Sequence, residues 1–196
     1  MKRFFCAFVT LCFILNCRAE VIDRIMAVVD GHIITLSDLR QEREIRGRLG
    51  EKAIAEDKAL TSELVDNYLI EQQIADYPNV DVSADEVDAD LQKSIARVGT
   101  PSEAVRAAVR LRIRIQKFFD LKFRQSIRPT DDQIRKYYDE VFVPEARARG
   151  LNPIPPLSDS DMAKAVRDNV IQESMDHEVT VWLEAIRRRS KIEVFE

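Results

Sequence analysis

The sequence predicts a mainly α-helical chain with a small antiparallel sheet that joins its two ends. Three observations predict this fold class. Residues 24–35 have the pattern of a β-hairpin, most of the central sequence has helical periodicity and capping residues, and residues 191–196 alternate in polarity. The chain of 196 residues is 45% hydrophobic and 33% charged with only 5 Gly and 7 Pro, which is typical of a folded protein.

The first 19 residues have the order of a secretory signal peptide. A basic start, Met1-Lys2-Arg3, precedes the apolar stretch from Phe4 to Leu15 and a small-residue site at Ala19. The stretch is shorter than the roughly 20 residues of a membrane-spanning helix, and no second hydrophobic segment follows it. We therefore expect residues 1–19 to be removed on export and residues 20–196 to form a single domain.

The three cysteines, Cys6, Cys12 and Cys17, all lie within this leader. Its removal would leave a chain without thiols, which excludes disulfides, cysteine metal sites and cysteine nucleophiles from the body of the protein. Two alternatives stay open: the segment is retained as a first helix or anchor, or Cys17 carries a lipid. The residues before Cys17 are a poor match to the small residues expected before a lipidated cysteine.

The predicted elements begin with a hairpin. Arg24–Val29 and His32–Thr35 should pair, because Asp30-Gly31 between them is a favoured type I′ turn. Apolar residues occupy both faces of the first strand, so other elements should cover it. Ser37 is predicted to cap a helix over residues 38–48.

Several helices should follow the hairpin. The first covers residues 60–77 and ends at Pro78. Three capping boxes, in which residues three apart satisfy each other's backbone N–H groups, predict helices over 84–98, 101–127 and 131–142. The boxes pair Ser83 with Glu86, Thr100 with Glu103, and Thr130 with Gln133.

Two segments carry sequence signals for more than one kind of structure. Residues 109–115 alternate between apolar residues and arginine, but the continuous helical pattern around them favours a helix. Four prolines predict a linker over 143–160, followed by a helix from about Asp159 to Arg189. The strand at 191–196 should pair with the first strand, because a two-stranded hairpin alone is marginally stable in water.

Charge is unevenly distributed along the chain. Residues 51–90 contain 12 acidic and 2 basic residues, whereas residues 91–128 contain 10 basic and 2 acidic ones. One interpretation is that neighbouring helices carry complementary surface charges. Another is a basic, aromatic groove for extended polypeptide. We expect no nucleic-acid partner, because loss of the leader would shift the net charge from -4 to −7 and the chain carries an export signal.

The search for catalytic motifs finds no G-x-S-x-G, Walker A, H-E-x-x-H or glycine-rich dinucleotide pattern. His32 follows a turn, where exposure to solvent is the ordinary outcome. His177 lies between Asp176 and Glu178, and adjacent helical residues do not share a face, so these three do not predict a metal site. With 34 acidic residues in the chain, some pair of carboxylates is always available, so such a pair does not indicate a hydrolase site. We therefore expect no enzyme activity, no metal and no cofactor.

Residues 21–39, VIDRIMAVVDGHIITLSDL, resemble the N-terminal segment of SurA-type periplasmic chaperones, which have a SurA/PpiD-like, trigger-factor-related fold. Thr130 to Val141 is similar to the helix that precedes the isomerase module in that family. The segment from Trp182 to Val194 is similar to its closing helix and strand. The resemblance implies a helical chaperone domain that binds unfolded outer-membrane proteins in the periplasm of Gram-negative bacteria without ATP. In that family a prolyl isomerase module lies between these two parts, and in this chain the short segment 143–160 occupies that position.

We predict that an aromatic groove with a basic rim binds the unfolded client. Its residues are Phe118, Phe119, Phe123, Tyr137, Tyr138 and Phe142, with Arg112 and Arg114 at the rim. Aromatic residues at helical spacing also occur in cores, so packing in the core is the structural alternative. Two functional alternatives are a prolyl isomerase with a degenerate site and a helical module that dimerises by exchanging its terminal segments.

Overall fold

The computed structural model describes residues 23–75, 77–94 and 100–195 of the chain. The predicted signal peptide, with Cys17 and Ala19, lies outside them. Strands β1 (Ile25–Val29) and β2 (His32–Thr35) form the hairpin, and β3 (Ile192–Val194) pairs antiparallel with the other side of β1. The sheet order is β2-β1-β3. The predicted mainly helical class, with a small sheet uniting the two ends, is confirmed.

The hairpin turn also anchors the C-terminal strand. Asp30 and Gly31 have φ angles of 50° and 89°, as the predicted Asp-Gly turn requires. The backbone N–H of Asp30 donates to the carbonyl of Lys191 at 2.9 Å, and its carboxylate accepts from the Lys191 N–H at 2.8 Å. One residue therefore both reverses the chain and receives the strand that returns from the far end of the sequence.

Among the described residues, helices pack against only one face of the sheet. A register shift between Ile25 and Ala27 turns both Met26 and Ala27 towards the core, where they are buried. The expectation that other elements cover β1 is confirmed for its inner face, and no described element covers its outer face. Ile25 and Ile33 are 41% and 49% exposed on the outer face, because no helix among the described residues packs there.

Seven α-helices, one 3₁₀ turn and two π-helical turns make up the remaining regular structure of the described residues. The helices are α1 (Leu36–Leu49), α2 (Asp57–Ile74), α3 (Ala84–Ser94), α4 (Glu103–Phe119), α5 (Asp131–Tyr137), α6 (Val143–Ala148) and α7 (Ser160–Arg187). The 3₁₀ turn is Pro78–Val80, and the π turns are Asp120–Arg124 and Tyr138–Phe142. Residues 109–115 are helical, as predicted. None of these helices combines the length and apolar composition needed to cross a bilayer.

Two of the three predicted capping boxes are confirmed, at Ser83 with Glu86 and at Thr130 with Gln133. Helix α4 instead begins after Ser102, whose hydroxyl accepts the N–H of Val105, so Thr100 is not its cap. Helix α1 is capped by Thr35 rather than Ser37. Thr35 and Asp38 form a reciprocal box in which aspartate takes the place of the usual glutamate.

The linker predicted over 143–160 begins later than expected. Pro144 lies inside α6, which continues to Ala148. Proline has no N–H, and its ring clashes with the carbonyl four residues earlier in a regular helix. The wider π turn immediately before α6 changes that spacing, so the chain passes Pro144 without leaving the helical path.

Three hydrophobic clusters hold the elements together. The first joins the sheet to α2 and α7 through Val29, Leu69 and Ile186. The second lies between α1, α3 and α4, and the third contains Ile74 and Phe118. Trp182 on α7 packs against both the first and the third clusters. The long helix α7 therefore connects the sheet to the C-terminal part of α4.

Two glycines near the end of α1 should respond oppositely to substitution. Gly47 lies within the helix with open space around it, so Gly47→Ala should raise the free energy of unfolding by about 0.5–1 kcal/mol. Gly50 ends the helix with φ 70°, so Gly50→Ala should lower it by about 1 kcal/mol. Urea denaturation followed by circular dichroism measures both. A neutral or stabilising Gly50→Ala would contradict this account of the helix end.

Candidate functional site

The structure separates the predicted groove residues into two groups. Phe118, Phe119 and Phe123 lie at the end of α4 and in the π turn that follows it. Tyr137, Tyr138 and Phe142 lie at the end of α5 and in the second π turn. The rings of the first group contact each other and α7, whereas those of the second group lie at the surface between α5, α6 and α7.

The first group forms an aromatic cluster with Trp182. Phe118 is 1% exposed, and its ring centroid lies 5.6 Å from that of Trp182. Phe119 and Phe123 surround the same indole at 6.1 and 5.7 Å, and the Lys122 ammonium lies 5.6 Å from its centroid. These rings pack in the core, the alternative that the sequence left open, and they hold α4 against α7.

The predicted rim arginines differ in their surroundings. The Arg112 guanidinium lies 3.0 Å from the Glu42 carboxylate and also pairs with Glu51. Arg114 is half-buried, and its Nε has no hydrogen-bond partner among the described residues. Arg112 therefore serves as a link between α4 and the end of α1.

Further ion pairs connect the basic helix α4 to the acidic helix α3. Arg106 lies 2.6 Å from Asp88, and the Lys117 ammonium lies 2.6 Å from Glu86. Lys117 also donates to the carbonyl of Asp81 at 2.8 Å. The uneven charge of the sequence thus corresponds to neighbouring elements whose charges complement one another.

Glu86 is the carboxylate most affected by these contacts. The hydrogen bond from Lys117 and the backbone N–H of Ser83 lower the pKa of Glu86 from an ordinary value of 4.5 to about 2. Both partners stabilise the ionised carboxylate in the folded chain and are absent when the chain is unfolded.

Of the second group, Tyr137 alone lines an open cavity of about 600 Å³ between α5, the second π turn and α7, which we call the α5–α7 groove. Half-buried Tyr137 and Val141 line it from one side, and Val170 lines it from α7. Its polar lining comes from both sides of the groove and includes Gln133, Lys136, Glu140, Glu173, Ser174, His177 and Glu178.

A second concave surface, of about 730 Å³, lies between the second π turn, α6 and the following linker. The Tyr138 hydroxyl donates to the carbonyl of Pro155 at 2.8 Å, and its ring stacks on Phe142 at 5.8 Å between centroids. Tyr138, Val143 and Leu151 are among the residues that line this surface. The consecutive residues Tyr137 and Tyr138 thus line two different concave surfaces.

The α5–α7 groove is acidic. Glu173 and Glu178 have no ion-pair or hydrogen-bond partner among the described residues, and Lys136 lies 4.0 Å from Glu140. Burial raises the pKa of Tyr137, and the nearby carboxylates of Glu173 and Glu145 raise it further.

Sequence reasoning compared His177 only with its immediate neighbours and missed Glu173. Glu173 lies four residues before His177, a spacing that places the two side chains on one face of a helix. Both residues line the α5–α7 groove. Across the part of the chain that the structure describes, no cluster of histidine, cysteine or acidic side chains has an arrangement that could hold a metal ion.

No protein-family model matches this chain, and no curated protein is significantly similar to it. The residues and geometry of the α5–α7 groove and the motifs of the sequence therefore provide the evidence for function.

The acid response of the fold should depend on Glu86. A carboxylate whose pKa is lowered by folding adds stability above its unfolded value, and this stability is lost as the pH falls towards the folded value. Wild type should therefore be more stable than Glu86→Gln at pH 7, and the difference should disappear between pH 4.5 and about 2. Denaturation curves across this range measure it. Lys117→Met should remove most of the same pH-dependent difference, and an unchanged difference in that background would contradict the assignment.

Truncation of Phe118 tests the placement of the aromatic cluster in the core. Phe118→Ala should lower the free energy of unfolding by about 3–5 kcal/mol, since it removes a fully buried ring. Leu121 is 37% exposed, so the control Leu121→Ala should cost less than about 1 kcal/mol. Urea denaturation followed by Trp182 fluorescence compares the two. Similar small losses for both variants would show that Phe118 is not a core residue.

Proposed function

We propose that this protein is an ATP-independent chaperone of the holdase type, which binds extended segments of unfolded outer-membrane or other exported proteins. The observation that carries the proposal is the α5–α7 groove. It is open along one side, and its lining combines an aromatic ring, Tyr137, with the aliphatic side chains of Val141 and Val170. Such a lining suits apolar client side chains of varied shape.

The physical basis of holdase activity is preferential binding to the unfolded state. A protein that binds exposed apolar segments lowers the concentration of free unfolded chains and competes with their aggregation without an energy source. Adaptable, open grooves are a recurring means of binding extended or helical peptides. The second concave surface, beside Tyr138 and Leu151, would lengthen the contact with an extended client.

Two features of the sequence support the cellular setting of this proposal. Residues 1–19 have the order of a signal peptide, and residues 21–39 resemble the opening segment of SurA-type chaperones. We propose that the chain acts in the periplasm after removal of its leader. Lipid attachment at Cys17 is the alternative, and mass spectrometry of the exported protein distinguishes the two.

An aggregation assay tests the function. A β-barrel protein diluted from denaturant should scatter less light when the chain is present at a stoichiometric ratio. Tyr137→Ala should raise the concentration needed for half suppression about five-fold, because an aromatic contact contributes about 1 kcal/mol. Val181→Ala is the matched control, since Val181 is an exposed apolar residue of α7 that does not line the groove.

The outcomes separate the candidate functions. Absence of suppression at a stoichiometric ratio would contradict the holdase proposal. Catalysed isomerisation of a proline-containing peptide would favour the degenerate prolyl isomerase instead. Circular dichroism of Tyr137→Ala establishes that the variant is folded, so that a loss of suppression reports on the groove.

A further inference from the structure

The outer edge of β3 has no strand partner among the described residues. On the inner edge, the carbonyl of Lys191 accepts from Asp30, and the N–H of Phe195 donates to the carbonyl of Met26, both at 2.9 Å. Backbone groups of successive residues in an antiparallel strand point alternately to its two sides. The N–H and carbonyl groups of Ile192 and Val194 therefore point away from β1, where another strand could pair with them.

The side chains next to this edge are suited to an added strand. Val194 is 55% exposed although it lies on the core side of the sheet, and Phe195 is 43% exposed. A cavity of about 300 Å³ lies beside β3. Its lining includes Val65, Ile192 and Val194, so an apolar side chain of an added strand would contact aliphatic groups there.

The charges of β3 favour a second copy of the same strand. Lys191 and Glu193 lie on the face opposite to Ile192 and Val194, because side chains alternate along a strand. They pair with each other at 3.0 Å within the chain, so a second copy would add cross-strand pairs to this one. If two copies of β3 pair antiparallel with Ile192 opposite Ile192, Lys191 of each copy lies opposite Glu193 of the other. Opposite charges in directly facing positions are stabilising.

Other registers of the same pairing are disfavoured. A shift by two residues that places Ile192 opposite Val194 also places the two Glu193 side chains opposite each other, and like charges in facing positions are destabilising. A shift by one residue exchanges the faces and turns the apolar side chains of one copy to the wrong side. The charges of β3 thus favour the register centred on Ile192 over the registers shifted by one or two residues.

We propose that two copies of the chain associate about a two-fold axis through β3, which joins their three-stranded sheets edge to edge. The pairing exchanges backbone hydrogen bonds between the Ile192 residues and buries the exposed Val194. A short strand gives a small interface, so the dimer forms reversibly and depends on concentration. This association goes beyond the holdase proposal and does not rest on it.

Sedimentation equilibrium of the full chain over about 1 µM to 1 mM tests the proposal, and we expect the mass to rise towards that of a dimer. Val194→Pro removes one N–H that points away from β1, so it should weaken the dimer at least about ten-fold while leaving the monomer folded. Val194→Thr is the matched control, since it preserves the N–H and the branched shape, and it should change the dimer constant less than about three-fold.

A charge cycle tests the register by a second route. Glu193→Lys and Lys191→Glu should each weaken the dimer, because each places like charges opposite one another, and the double exchange should restore it. A monomer at all concentrations, or a dimer that neither Val194→Pro nor the charge reversals affect, would overturn the proposal. A monomer whose β3 edge binds an unfolded client strand would overturn it in favour of a client site.

Discussion

The pairing of β3 with β1 is the contact on which the remaining structure depends. It makes β1 the central strand of the sheet, so that Ala27 and Val29 are completely buried. It also holds the C-terminal end of α7, where Arg187 donates to the carbonyl of Ser62 at 3.0 Å and pairs with Asp66. Because α7 forms one side of the α5–α7 groove, the position of the groove depends on this attachment.

Some aromatic residues of the described chain pack in the core, and others line open surfaces. The cluster around Trp182 joins α4 to α7 and stabilises the packing of these two helices. Tyr137 and Tyr138 instead line open concave surfaces. Adjacent residues of a helix do not share a face, so these consecutive tyrosines line different surfaces. The close packing around Trp182 and the open surfaces beside Tyr137 and Tyr138 would allow the proposed binding of varied segments without a change in the core.

The distribution of ion pairs indicates which charged surface is open to a partner. The basic residues of α4 that contact α1 and α3 already have carboxylate partners, as Arg112 and Lys117 show. The carboxylates of Glu173 and Glu178 in the α5–α7 groove have none among the described residues. If the groove binds clients as proposed, a segment with basic residues beside its apolar ones would interact more favourably with the groove than with the basic helix.

Four features are predictable from the sequence alone: the fold class, the Asp30-Gly31 hairpin, two of the capping boxes and the return of the last strand to the first. The capping and turn features depend on interactions between residues at most four apart, and the strand pairing follows from the instability of an isolated hairpin. Three other features depend on the packed fold: Phe118 is buried while Tyr137 lines a groove, Arg112 pairs with Glu42, and α6 passes through Pro144. The burial of a ring and the partner of a charge depend on which elements pack together, and residues distant in the chain set that packing.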